Sequence, residues 1–325
     1  MGNDRKASKM KTYQYLKNLE APQGAVDVIL DTDAFNEIDD QFALAYLLLN
    51  RQRLHTVGIC AAPFLNEKSV SPEDGMNKSY DEILKVLGLM GRGDLVEKVY
   101  RGSTAFMTDE KTPVPSAAAS FLAQTAEKYS PENPLYIIAI GAITNVASAI
   151  LLNREAMCEN TVVIWLGGNA HGYPYGCREF NMIQDIDAAR VVLASAVPTV
   201  QLPCVGVVSE FRTTKPELDY WLGGQNPLCR YLAENVYREM EVRSPKNPVW
   251  SKCIWDVTAV AWLLNDRNRY MMSYRTPAPI PQHDGFYAFD VQGKQIEYVY
   301  RINRDRLLRD LFDCLRAFSG EDTDQ

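Results

Sequence analysis

Five acidic side chains, Asp31, Asp33, Glu37, Asp39 and Asp40, fall within the ten residues "DTDAFNEIDD" that follow the apolar run "VDVIL". No Lys or Arg lies among residues 25–50, so these charges have no partner nearby in sequence. Carboxylates crowded at the end of a buried strand raise each other's pKa and cost stability unless they are protonated, paired or bound to a cation. An oxygen-only donor set suits calcium or magnesium rather than zinc. The three histidines, His55, His171 and His283, are far apart and lack zinc-ligand spacing. A divalent ion lowers the pKa of a bound water and a neighbouring Asp can take its proton, which together make a hydrolase. The competing reading is that Asp39 or Asp40 caps the next helix while the other acids point into water.

The elements around this knot alternate. Strand-like runs at 25–30, 55–62, 98–102, 134–141, 161–168 and 199–208 are separated by helical patterns at 40–50, 75–91, 116–130, 142–153 and 185–196. Such alternation predicts βαβ units and an α/β fold with a mostly parallel central sheet flanked by helices, an open sheet with ligands at the carboxyl ends of its strands. Residues 209–254 read as mainly helical, and "CIWDVTAVAWLLN" (253–265) as a helix opened by Asp256. A loop (277–289) then leads to a late strand pair, and 304–318 is a terminal helix. Residues 1–21 read as a polar arm or short helix, and 22–325 as one domain without repeats or a low-complexity linker.

The bulk numbers fit this picture. Hydrophobic residues are 46% and charged residues 23%, enough for a sizeable core. Lys and Arg number 34 against 41 Asp and Glu, a net charge of −7, which argues against nucleic acid or an anionic membrane as partner. Seven scattered cysteines form no CxxC pair and read as buried thiols of a reducing compartment. With no secretory h-region and no apolar run of about 18 residues, the expected location is cytoplasmic.

The Asp-x-Asp after a first strand, followed by Asp-Asp at a helix start, resembles the inosine–uridine-preferring nucleoside hydrolase family. Three further segments match in order: "GAITNVA" at Gly141, Thr144, Asn145 and Ala147; "EFNMIQD" at Glu179, Phe180, Asn181 and Asp185; and "IWDVTAVAWLL" at Asp256. The resemblance covers roughly residues 26 to 300. It implies hydrolysis of the N-glycosidic bond of a ribonucleoside with one Ca2+, and a homo-oligomer, dimer or tetramer. Carried over, the metal ligands are Asp33, Asp40, the main-chain carbonyl of Thr144, and Asp256. Asp33 is also the general base. Asp39, Glu179 and Asn181 hold the ribose, with Asn66 and Asn169 as further contacts, and Asp31 gives support from behind. The chemistry agrees, because an oxocarbenium-like sugar is stabilised by acidic groups beneath the ring.

The chain departs from the family pattern in three places, one of them "CAAPFLNEKS" (60–69), where the family often has Gly-Asn and Asn66 is the ribose-contacting candidate. Five residues, "AFNEI", separate Asp33 from Asp39, where the family usually has three. The loop must therefore bulge, with Asn36 or Glu37 entering the site or turning outward. Trp255 precedes the late Asp, where members of mixed preference carry His. This resembles the purine-preferring members, in which the indole stacks on the base. Phe35, Phe64, Tyr173 and Tyr175 are candidates for a second stacking ring. Three rival readings remain. A phosphatase of the haloacid dehalogenase type would leave "IDDQFALAY" unexplained. Another is a protein of the same fold that binds a nucleoside or related ribosyl ligand without turning it over, and the third keeps the hydrolase chemistry on another N-ribosyl compound.

Overall fold

The run Val26–Thr32 is rich in β-branched residues, holds three apolar residues in a row (Val28, Ile29, Leu30) and is fully buried from Val28 onward, as a strand covered on both faces must be. Val28 and Leu30 enter one hydrophobic layer and Ile29 the other. The same alternation carries Asp31 and Thr32, at the strand's end, to opposite faces of the sheet. A computed structural model describes residues 11–247 and 249–319.

Along the chain, α1 (Thr12–Asn18), β1 (Val26–Thr32), α2 (Asp39–Leu49), β2 (Leu54–Ala61), α3 (Pro72–Leu89) and β3 (Val99–Arg101) build the first half of the sheet. The second half comes from α4 (Ala117–Ala126), β4 (Leu135–Ala139), α5 (Thr144–Leu152), α6 (Arg154–Asn160), β5 (Thr161–Leu166), α7 (Phe180–Gln184), α8 (Ile186–Ala194) and β6 (Thr199–Leu202). There follow β7 (Arg212–Thr214), α9 (Lys215–Leu222), α10 (Pro227–Arg243), β8 (Ser251–Cys253) and α11 (Val257–Trp262). The chain closes with β9 (Met271–Pro277), β10 (Pro279–Pro281), β11 (Tyr287–Phe289), β12 (Gln295–Ile302) and α12 (Arg304–Ala317).

Eight strands form the central sheet in the order β3-β2-β1-β4-β5-β6-β12-β9. All neighbours are parallel except β9, which runs antiparallel to β12 at the edge. The predicted α/β fold with a mostly parallel sheet is the observed one. The chain leaves β1 outward through β2 and β3, then returns to the other side of β1 with β4. That reversal is a topological switch point, where the carboxyl ends of β1 and β4 open a crevice.

Several expectations need correction. The helical stretch 209–254 also contains an antiparallel ribbon, β7 with β8, which pairs Arg212 with Cys253 and Thr213 with Lys252. The strand read over 199–208 ends at Leu202, because Pro203 has no N–H to donate to a ladder. The helix read as opened by Asp256 has Asp256 at its cap position and runs over Val257–Trp262, shorter than the segment 253–265. Helix α3 starts before Gly75, since the Ser71 side chain accepts a hydrogen bond from Asp74 N at 3.1 Å and caps it. At the N-terminus, the Tyr15 hydroxyl donates to Gln295 O (2.6 Å), Asn18 Nδ2 donates to Pro131 O (2.9 Å), and Leu19 is buried. The described part of the N-terminal arm is thus docked, and residues 1–10 lie outside the described residues. No helix among the described residues is long and apolar enough to cross a membrane.

Candidate active site

Strand β1 delivers its polar end into the switch-point crevice. Asp31 is buried and accepts from Asn145 Nδ2 of α5 at 2.8 Å, and Asn145 Oδ1 accepts from Ser103 N (2.8 Å) and Oγ (2.9 Å). Asn36 N donates to Asp33 O at 2.7 Å and closes the turn after the strand. Helix α2 then opens with Ile38 at its cap position, so neither Asp39 nor Asp40 caps it. Both instead occupy the first turn, where the helix end favours negative charge. Asp40 Oδ1 accepts from Thr32 Oγ1 at 2.5 Å.

Carboxylate oxygens of Asp39, Asp40 and Asp256 all lie within 4.8 Å of one another. Asp33 stands beside this trio, with its carboxylate against Gly141: a Cβ there would meet Asp33 Oδ1 at 2.9 Å. Glycine at 141 is what lets the end of β4 approach the acid. All four aspartates are buried. Burial is the main cause that raises each pKa, with Asp39 pushed up to about 8 and Asp40 to about 6. Asp33 and Asp256 are raised well above the usual range, and the neighbouring carboxylates add to the effect of burial. Asp33 Oδ2 and Asp39 Oδ1 are buried without a hydrogen-bond partner. Orphaned carboxylate oxygens in an all-oxygen cluster are the donor set a hard divalent cation takes. The residues present therefore fit a metal.

The aspartates form the floor of a cleft of about 360 Å3, a size typical of small-molecule sites. Asn66, Asn169, Glu179, Asn181 and Trp255 line it, together with Asp33, Asp39, Asp40 and Asp256. Glu179 caps α7: its carboxylate accepts from Asn181 N (2.9 Å), Met182 N (3.1 Å) and Gly168 N (2.8 Å). Asn181 Nδ2 donates to Ile140 O and Leu166 O, both at 3.0 Å, and so ties the ends of β4 and β5. Asn169 is held by Gly176 O and Val205 N. Asn66 Nδ2 donates to Asn36 Oδ1 at 2.6 Å. Thr144 is not among the lining residues. It starts α5, fully buried, with its hydroxyl donating to Asp185 Oδ2 at 2.7 Å.

Asn36 and Glu37 of the longer loop both reach the cleft lining: Asn36 meets Asn66, and Glu37 pairs with Lys252 and, at 2.8 Å, with Arg243. Phe64 is fully buried, and Phe35, Tyr173 and Tyr175 do not line the cleft. The aromatic ring that joins Trp255 in the lining is Phe180, which the reading of "EFN" used only as a motif position. Arg178, Cys204 and Arg243 also line it and were missed, since nothing in their local sequence marks them. None of the three histidines lines the cleft: His171 is packed among Tyr287, Phe289 and Tyr298.

Comparison with known proteins bears on this geometry. The family model described as "Inosine-uridine preferring nucleoside hydrolase" matches residues 28–308. A pyrimidine-specific ribonucleoside hydrolase, RihA of Photobacterium profundum, is 24% identical over 230 residues, covering 63% of this chain and 73% of the relative. A purine-preferring ribonucleoside hydrolase from Gardnerella vaginalis superposes with a TM-score of 0.71 at 18% identity, covering 90% of this chain and 99% of that one. The plant nucleoside hydrolase PpNRh1 gives 0.69 at 19% identity with the same coverage. These structural likenesses speak for the fold, and the family match runs from β1 into α12, through every segment that lines the acid cleft. The chain belongs to the inosine-uridine preferring nucleoside hydrolase family, enzymes that cleave the N-glycosidic bond of nucleosides.

Proposed function

We propose that this enzyme hydrolyses ribonucleosides in a calcium-dependent reaction with a lean toward purines. The observation that carries the reading is the buried group Asp33, Asp39, Asp40 and Asp256 at the floor of a cleft walled by Trp255 and Phe180. Asp33, Asp40, Asp256 and the main-chain carbonyl of Thr144 would hold the cation, and Asp39, whose carboxylate lies within 4.8 Å of those of Asp40 and Asp256, would reach it as well as the sugar. When bound, it offsets the carboxylate charge, acidifies a water and offers coordination to the sugar hydroxyls.

The remaining roles fall to the chain's own groups. Asp33 accepts the proton of the attacking water, whose oxygen joins the anomeric carbon as the bond to the base nitrogen breaks. Asp39 orients ribose hydroxyls. Glu179 spends its oxygens on three main-chain N–H groups, so it fixes the α7 end of the cleft and places negative charge near the sugar. Asn181 commits its NH2 to two strand ends, and its carbonyl oxygen is what it can offer a hydroxyl. Negative groups near the ring favour the cationic, oxocarbenium-like transition state over the neutral substrate. Trp255 supplies a flat apolar surface for the base. No histidine lines the cleft to act as a leaving-group acid. A purine can take its proton from solvent as it leaves, and this sets the proposed preference.

The test is release of ribose from inosine, adenosine, guanosine, uridine and cytidine, with calcium and with excess chelator. Purine-selective release that stops on chelation is the expected result. Pyrimidine-selective release overturns the base preference, and release insensitive to chelation overturns the metal. Binding without release across the panel would point to a different N-ribosyl substrate or to a binding role.

A further inference from the structure

The loop Ala34–Ile38 places a fifth acid, Glu37, two residues before the metal-binding trio. A loop of this length and charge at the mouth of an acid cluster should splay, because repulsion drives its carboxylate away from Asp39 and Asp40. The structure holds it from two sides. On one side Asn66 Nδ2 donates to Asn36 Oδ1, and Lys68 Nζ donates to Asn36 O at 2.5 Å. On the other, Lys252 of β8 and Arg243 at the end of α10 both pair with Glu37. Each of the two cations also pairs with Glu239 of α10, Lys252 at 2.9 Å and Arg243 at 2.8 Å. Lys252 is 5% exposed, so this is a built quartet of two cations and two anions rather than a surface contact.

We propose that Lys252 and Arg243 are positioning residues that clasp Glu37, and through it hold Asp39 and Asp40 in the arrangement that binds the divalent cation. This rests on the metal reading of the cluster and deepens it. The clasp accounts for how the chain accommodates a loop longer than the family's usual one. It also gives the β7–β8 ribbon a role: Thr213 pairs with Lys252 across it, which anchors the backbone from which the ammonium reaches Glu37.

Two physical pictures of Lys252 predict opposite signs. If it were only a nearby positive charge, its removal would make the cluster more negative and tighten a divalent cation. If it positions the loop, its removal frees Glu37 and loosens the cation despite the added negative charge. Calcium titration calorimetry on the metal-stripped protein separates them. Lys252→Gln should weaken calcium by about ten- to hundredfold, the range for supporting partners of metal ligands, while Lys252→Arg, which keeps the charge and the reach, should stay within about threefold. Unchanged or tighter binding in Lys252→Gln overturns the clasp. If that variant fails to fold, by circular dichroism without metal, Arg243→Gln carries the test. Its side chain is 49% exposed, and several-fold weaker binding is expected, with unchanged or tighter binding overturning the proposal. Failure of the wild-type protein to bind calcium would instead refute the metal reading itself.

Discussion

Calcium should stabilise this protein far more at pH about 8 than at pH about 5, because of the buried acids it must deprotonate. In the metal-free fold Asp31, Asp39 and Asp40 are raised from 3.8 to about 7, 8 and 6, each chiefly by burial. A carboxyl raised in this way keeps a proton that the unfolded chain gives up. Its contribution to stability is complete below about pH 4 and is lost as pH rises through the folded value. A cation binding at Asp39 must displace that proton, at a cost of about 4 kcal/mol at pH about 5 and almost none at pH about 8; Asp40 adds about 1 kcal/mol at the lower pH, and Asp33 and Asp256, both raised well above their usual value, add to the cost in the same direction. At about 2 °C per kcal/mol for a chain of this size, the gap in Tm between calcium-loaded and chelated protein should widen by at least about 8 °C across that window.

Scanning calorimetry at several pH values, with calcium and with chelator, reads this directly. The difference between the two curves is the right quantity, because other groups tilt each curve separately. His171, lowered by burial, and Lys294, held down at about 7 by burial, both favour the fold as pH rises. Neither belongs to the acid cluster, so both cancel in the difference. A gap that stays constant from pH about 5 to 8 would refute the reasoning, since it would mean that no cluster proton is displaced when calcium binds.

Three further outcomes are expected. Asp33→Ala should lower kcat by about a thousandfold, in the range of a lost general base, and retained full activity would refute that assignment. Trp255→Ala should reduce kcat/KM for purine nucleosides by about tenfold, as for a lost base-stacking contact, while calcium binding persists; loss of both would mark the indole as structural. Asn145→Ala should destabilise the fold by about 2–4 kcal/mol in denaturant unfolding, because Asp31 loses its buried donor and Ser103 its acceptor; a loss below about 0.5 kcal/mol would show that the polar core behind β1 is not needed.

Much of the fold was legible because its signals are local. Apolar runs such as "PLYIIAIG" can only be buried strands of a covered sheet, and the strand at Leu135–Ala139 and the helix at Thr144–Leu152 fall where periodicity predicts. The elements misread were those whose state depends on distant partners. Three-residue strands such as Arg212–Thr214 and Ser251–Cys253 carry almost no period of their own and exist because they pair with each other. Trp255 and Asp256 sit in the turn that leads into α11, with Asp256 at the cap position read for it, and both line the cleft.

The same division runs through the site. Acids that cluster in sequence announced a counter-charge requirement, and the asparagines and Glu179 were placed through their motifs. What sequence could not disclose is how the charge is met before any ion arrives. Lys252 and Arg243 lie more than two hundred positions from Glu37 in the chain, and neither stands in a recognisable motif. Their partner assignment follows only from the fold, which brings the end of α10 and the β7–β8 ribbon against Glu37 in the loop before α2. An inserted acid near a metal cluster is therefore not evidence of a broken site. Whether it damages the site depends on whether some remote element supplies a buried cation to receive it, and here that element is the ribbon hidden within a segment that reads as helix.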